Sequence, residues 1–265
     1  MTLSEWIRHK EIRGQLMFSI DDLRKDFIET SNNVLLTSIN RMIKIKRISA
    51  VYKGYYVIIP PQYALKGVVP PPYYIHNMMQ YVGKPYYVAL LSAAEMYGAS
   101  HQRAMQTQVM TVPPRNKKSN KNPYISWCYR PVIQRDLLRQ TNTEAGIMLY
   151  SSAELTAIDL VQYADHIGGY QRAATVLAEL ADEVNWNKMD SVVNISTIAA
   201  LQRLGYILEF VLEERNKSDI LFNIVIQKAK VMRPLLMRND KCALRDCNKN
   251  RWNVNMNTTI EIDEL

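Results

Sequence analysis

The hydrophobic pattern changes period near residue 45, and that switch constrains the fold more than any other feature of the chain. Leu35, Ile39, Met42 and Ile43 stand at i, i+4, i+7 and i+8, the apolar stripe of a helix capped by Ser31 or Asn32 and running to about Lys44. Directly after it Ile48, Ala50 and Tyr52 alternate, Lys53-Gly54 supplies a two-residue turn, and Tyr55, Val57 and Ile59 alternate back. Pro60-Pro61 stops the ribbon.

Two shorter helices are predicted upstream. Thr2 with Glu5 forms a capping box for the first, whose stripe is Leu3, Trp6, Ile7 and Ile12, to about Arg13. Phe18-Ser19-Ile20 is short and extended. Ser19 caps the second helix, with Asp21 and Asp22 at its positive end and Ile20, Leu23 and Phe27 as its stripe. Three short helices and then a hairpin predict a winged helix-turn-helix over residues 1–60.

The face of the third helix opposite its stripe carries Asn33, Thr37, Asn40, Arg41 and Lys44, and no acid. Asn and Arg pair with adenine and guanine edges in the major groove, so these five are the candidate base-reading residues. Lys46, Arg47, Tyr52 and Lys53 belong to the hairpin and are candidate phosphate contacts. Double-stranded DNA is the expected partner. The competing reading is a winged helix used only for protein contact, which predicts no salt-dependent DNA binding.

Charge is unevenly placed along the 265 residues, whose net charge is +8. Residues 1–60 hold ten basic and six acidic side chains, and residues 101–139 hold eight basic against Asp136 alone. Residues 140–226 reverse this, with five basic and twelve acidic side chains. Basic blocks suit a polyanion. The acidic block is a solvated helix face or a docking surface for a basic protein.

Residues 61–265 predict a second domain, mixed α/β with a helical half and a small sheet, so the whole chain is α+β. Pro70-Pro71-Pro72 opens a helix from Tyr73 to about Tyr81, and a further helix follows Pro85 with Tyr86, Leu90, Leu91, Ala94 and Tyr97 as its stripe. Strands are expected at 106–112, 124–129, 132–138 and 146–150, around the basic loop of 113–122. Helices follow from Ser151 or Ser152, at 171–184, 195–212 and 218–230, and two terminal strands at 252–257 and 259–262.

The search for chemistry is negative. G-x-S-x-G, H-E-x-x-H, C-x-x-C, G-x-G-x-x-G and the P-loop pattern are all missing. Cys128, Cys242 and Cys247 read as reduced thiols, and the four histidines at 9, 76, 101 and 166 have no metal-ligand spacing. No cofactor or metal is expected. No apolar run is long enough for a membrane helix and no signal-peptide core opens the chain, so a cytoplasmic protein without membrane contact is expected.

Several runs resemble the AbiEi antitoxins of bacterial abortive-infection (type IV) toxin–antitoxin systems: G-Y-Y-V-I-I-P-P-Q-Y at 54–63, P-P-P-Y-Y-I at 70–75 and G-K-P-Y-Y-V-A-L-L-S-A-A-E-M-Y-G-A-S-H-Q at 83–102. S-S-A-E-L-T-A-I-D-L-V at 151–161, Gly168-Gly169, L-Q-R-L-G-Y-I-L at 201–208 and R-W-N-V-N at 251–255 continue it. The resemblance implies a DNA-binding module at 1–60 that represses its own operon through promoter repeats. It also implies a C-terminal antitoxin domain at 61–265 that neutralises a nucleotidyltransferase-like AbiEii toxin, with or without stable contact. Glu179, Asp182 and Glu183 are the candidate toxin-facing acids. The family implies no enzymatic activity. A nucleic-acid-processing enzyme carrying a winged-helix targeting module is the alternative, and it would need clustered acids or a metal site within 63–265.

Overall fold

A computed structural model describes residues 1–99, 104–114, 122–229, 231–238 and 250–262. The basic loop at 115–121, His101, Cys242 and Cys247 lie outside the described residues.

The first elements are α1 (Leu3–Ile12), β1 (Met17–Ser19), α2 (Ile20–Asp26), α3 (Asn32–Lys44), β2 (Ile48–Tyr52) and β3 (Tyr55–Ile58). Two capping boxes set the short helices. Thr2 and Glu5 exchange hydrogen bonds at the start of α1, and Ser19 and Asp22 do the same for α2. Ser31 caps α3 by accepting from the Val34 amide. The strands form an antiparallel sheet in the order β1-β3-β2, with Phe18 opposite Tyr56 and Ala50 opposite Tyr56 on the other side. Their core joins Leu3, Trp6, Ile7, Phe18, Leu23, Ile39, Met42, Ile48, Tyr56 and Ile58. Trp6 meets Phe18 edge-on at 5.0 Å and its indole N–H donates to Asp26 at 2.7 Å. Ile12 is not part of this stripe: it is 74% exposed, since the core-facing side of α1 ends one turn earlier.

The rest of the chain adds α4 (Ile75–Val82), β4 (Tyr86–Val88), α5 (Leu90–Ala94), β5 (Thr107–Thr111), β6 (Ile125–Tyr129), β7 (Leu138–Thr143) and β8 (Gly146–Ser151). Helices α6 (Ala153–Gln162), α7 (Tyr170–Leu180), α8 (Asp190–Ile195), α9 (Ile198–Tyr206) and α10 (Arg215–Lys228) follow, then the two-residue strands β9 (Leu235–Leu236) and β10 (Val254–Asn255). The chain is thus α+β. A five-stranded sheet has the order β6-β5-β4-β8-β7.

Three expectations need correction. Tyr86–Val88 is a strand rather than the first turn of a helix. All three residues are buried, so no alternation is visible and a helical stripe can be traced through an apolar run. The strand expected at 132–138 starts instead at Leu138, after a 3-10 turn at Arg135–Leu137. The terminal strands are only two residues each and pair in parallel, Val254 with Leu235, and 259–262 forms no strand.

The chain divides into two compact units. One comprises Met1–Tyr86, Thr111–Ile133 and Gln140–Leu149; the other comprises Tyr87–Met110, Gln134–Arg139 and Tyr150–Leu265. In the second unit Tyr87 donates to the fully buried Asp159 at 2.8 Å, and the Gln108 side chain accepts the Leu91 amide at 2.8 Å. Gly205 of α9 lies so close to Trp252 that a Cβ there would sit 2.1 Å from the indole. No helix among the described residues is long and apolar enough to cross a membrane.

Candidate nucleic-acid interface

Helix α3 buries Leu35, Ile39 and Met42 and leaves Asn33, Thr37, Asn40, Arg41 and Lys44 exposed. The five candidate base-reading residues therefore share one open face. No acid falls between Glu29 and Lys66, so that face is acid-free. The Thr37 hydroxyl donates to the Asn33 carbonyl at 2.8 Å, which uses its proton and leaves its oxygen as an acceptor beside its methyl. At the other end, Arg24 bridges Asp21 at 2.9 Å and Asn32 at 3.2 Å, tying α2 to the start of α3.

The hairpin is less uniform than its sequence suggests. Lys53 is exposed at the turn, where Gly54 has φ +74° and a Cβ would come within 3.1 Å of Ile20. Lys46 is exposed but has φ +55°, and its aliphatic stem packs over Gly67. Arg47 pairs with Glu11 of α1 at 2.7 Å and holds the helix to the hairpin. Tyr52 is half-buried, edge-on to Tyr81 at 6.5 Å. Tyr55 stacks on the same ring at 4.9 Å, and burial, helped by the Asp22 carboxylate, pushes its hydroxyl up to about 12. Lys46 and Lys53 are thus open cations, while Arg47 and Tyr52 already have structural partners.

The acid-rich helices show the same distinction more strongly. Asp182 accepts from Lys217 at 2.6 Å, and this hydrogen bond holds its carboxyl below the ordinary range. Partial burial lowers the Lys217 pKa, but its bonds to Asp182 and Glu214 outweigh that and raise it. Glu179 is half-buried, and Glu183 is exposed. The three candidate toxin-facing acids therefore do not form one free cluster. Nearby, Arg251 binds Glu209 at 2.6 Å and Asp219 at 2.5 Å, and lies over the rings of Phe222 and Trp252.

Sequence reasoning missed Val34 and Leu36, which are 55% and 46% exposed on α3. The available signal was their phase: both fall off the i, i+4, i+7 stripe. It also missed the Arg47–Glu11 and Lys217–Asp182 pairs, which join residues 36 and 35 positions apart. Among the described residues no group of His, Cys, Asp and Glu has metal-binding geometry.

Residues 87–210 match the AbiEi antitoxin C-terminal domain. That match gives the chain an AbiEi-type C-terminal domain and supports an antitoxin role. No curated protein matches the chain. Its fold is similar to the crystal structure of the RV2827C protein from Mycobacterium tuberculosis, with TM-score 0.67 and 13% identity over 96% of this chain and 90% of that one.

Proposed function

We propose that the protein is an antitoxin and transcriptional autorepressor. Residues 1–60 form a winged helix-turn-helix, α3 is its recognition helix, and β2–β3 is its wing. The element order helix, strand, helix, helix and hairpin supports that reading. The observation that carries DNA binding is the open, acid-free face of α3, with Asn33, Asn40, Arg41 and Lys44 exposed together. Asn and Arg supply paired hydrogen bonds to base edges, and Lys53 and Lys46 supply phosphate contacts. Residues 61–265 are the antitoxin part, which neutralises a nucleotidyltransferase-like toxin. The AbiEi domain at 87–210 supports this assignment.

Two assays in cells test the proposal. A reporter driven by the region upstream of the gene should be repressed by the full chain and released by the Asn40→Ala, Arg41→Ala double variant. That variant should still rescue cells expressing the toxin. Repression unchanged by the double variant would remove α3 as the reading helix. Rescue lost together with repression would argue against separate roles for the two parts. Reversing the exposed Glu183 should weaken rescue if the toxin docks there; unchanged rescue would favour neutralisation without contact.

A further inference from the structure

The first two turns of α3 carry no charge. From Asn32 to Ser38 the side chains are amides, apolar groups and hydroxyls, while Arg41 and Lys44 stand in the last turn. A recognition helix places its N-terminal residues nearest the base edges. The groups that would reach the floor of the groove are therefore Asn33, Val34 and Thr37, with Leu36 on the flank. Val34 is 55% exposed and Leu36 46%, so both are open to apolar contact from a partner on this face. Thr37 has its hydroxyl on the Asn33 carbonyl, so it too offers a methyl.

Resting on the reading of α3 as a recognition helix, we propose that Val34 and Thr37 read thymine methyl groups and that the bound half-site is rich in A·T pairs. Thymine alone among the bases presents a methyl in the major groove. Asn33 and Asn40, on the same face, match the N6 and N7 edge of the paired adenines. The partner is duplex DNA rather than an apolar protein surface because the same face continues into Arg41 and Lys44 with no acid to oppose phosphate.

The test uses the full chain and a duplex selected by it from a random pool. The selected sequence should contain A·T pairs in each half-site. Replacing one of their thymines by deoxyuridine removes only the methyl and should weaken binding about fourfold. Val34→Ala should weaken binding to the thymine duplex by a similar factor, and the variant should be indifferent to deoxyuridine at its own contact. Thr37→Ser keeps the bond to Asn33 and should behave in the same way at a second position. Both positions are exposed, so unchanged melting curves should accompany both variants. A G·C-rich selected site, or full affinity for the deoxyuridine duplex, would overturn the proposal while leaving DNA reading by α3 intact. Failure of the pool to yield any preferred sequence would instead overturn the recognition-helix reading itself.

Discussion

The basic hairpin region and the acid-rich helices carry opposite charge blocks, but they differ more in what those charges already do. Between residues 41 and 53 there are five cations, of which Arg47 alone sits in an ion pair with a described acid. In the acid-rich segment Asp182 and Glu214 hold Lys217, Glu209 and Asp219 hold Arg251, Asp159 is buried against Tyr87, and Glu154 accepts the Asn185 amide at 3.2 Å. One block is left facing solvent; at least half of the acids in the other already hold a partner within the fold. A charge counted in sequence becomes a binding charge only if the fold leaves it without a partner.

The largest expected effect lies on the structural side of that contrast. Arg251→Ala leaves Glu209, only 11% exposed, without its cation and removes the cover over Phe222 and Trp252. It should cost about 3 kcal/mol, the low end for a broken buried pair because Arg251 keeps some solvent contact. Urea unfolding measures it. A loss under about 1 kcal/mol would mean that these acids are no more committed than those of an ordinary surface.

Next comes the open face. Asn40→Ala or Arg41→Ala should cost about 1–3 kcal/mol on the operator and relax base preference, read by competition with random duplex. Equal losses on both duplexes would move the reading face elsewhere. A finer division falls within the wing. Lys53→Ala should make the plot of log affinity against log salt shallower by about 0.9. Arg47→Ala should leave that slope nearly unchanged and instead lower stability by up to about 1 kcal/mol through loss of Glu11. If the two variants change the slope equally, Arg47 leaves Glu11 for phosphate on binding.

The smallest effect concerns pH. Burial would raise the Asp22 carboxyl, but the Ser19 amide and hydroxyl bonds outweigh it and leave its pKa below the ordinary 3.8. A depressed carboxyl stabilises fully above its unfolded value and loses that contribution as pH falls through the folded value. Asp22→Asn should therefore cost up to about 1 kcal/mol near neutrality, and progressively less as pH falls through the folded value. A constant difference between wild type and variant across that range would show that the carboxylate form has no special role in the cap.

Much of this was legible in the sequence, for local reasons. Caps act across three residues and the α3 stripe repeats within one helix, so Thr2, Ser19, Leu35 and Ile39 could be assigned without tertiary information. The run at 83–102 that carries the strongest family resemblance includes Tyr87, Val88, Ala89, Leu90, Ala93 and Ala94, each at most 1% exposed. Those six residues carry the fold rather than a binding surface. The burial of Tyr86, Tyr87 and Val88 also hid β4, because a strand covered on both faces shows no alternation. The partners of Arg47 and Asp182 were not legible, since pairs formed 36 and 35 residues apart leave no mark in periodicity. Val34 and Leu36 looked like core residues by type, and only the phase of the helix exposes them.

The most direct test of the account is the affinity of the full chain for the duplex upstream of its own gene, measured beside a random duplex of equal length over a range of salt. Four exposed cations, Arg41, Lys44, Lys46 and Lys53, predict a log–log slope of about −4, with the upstream duplex bound at least about tenfold more tightly. Equal affinity for the two duplexes, or a slope near zero, would contradict the claim that the open face of α3 reads DNA.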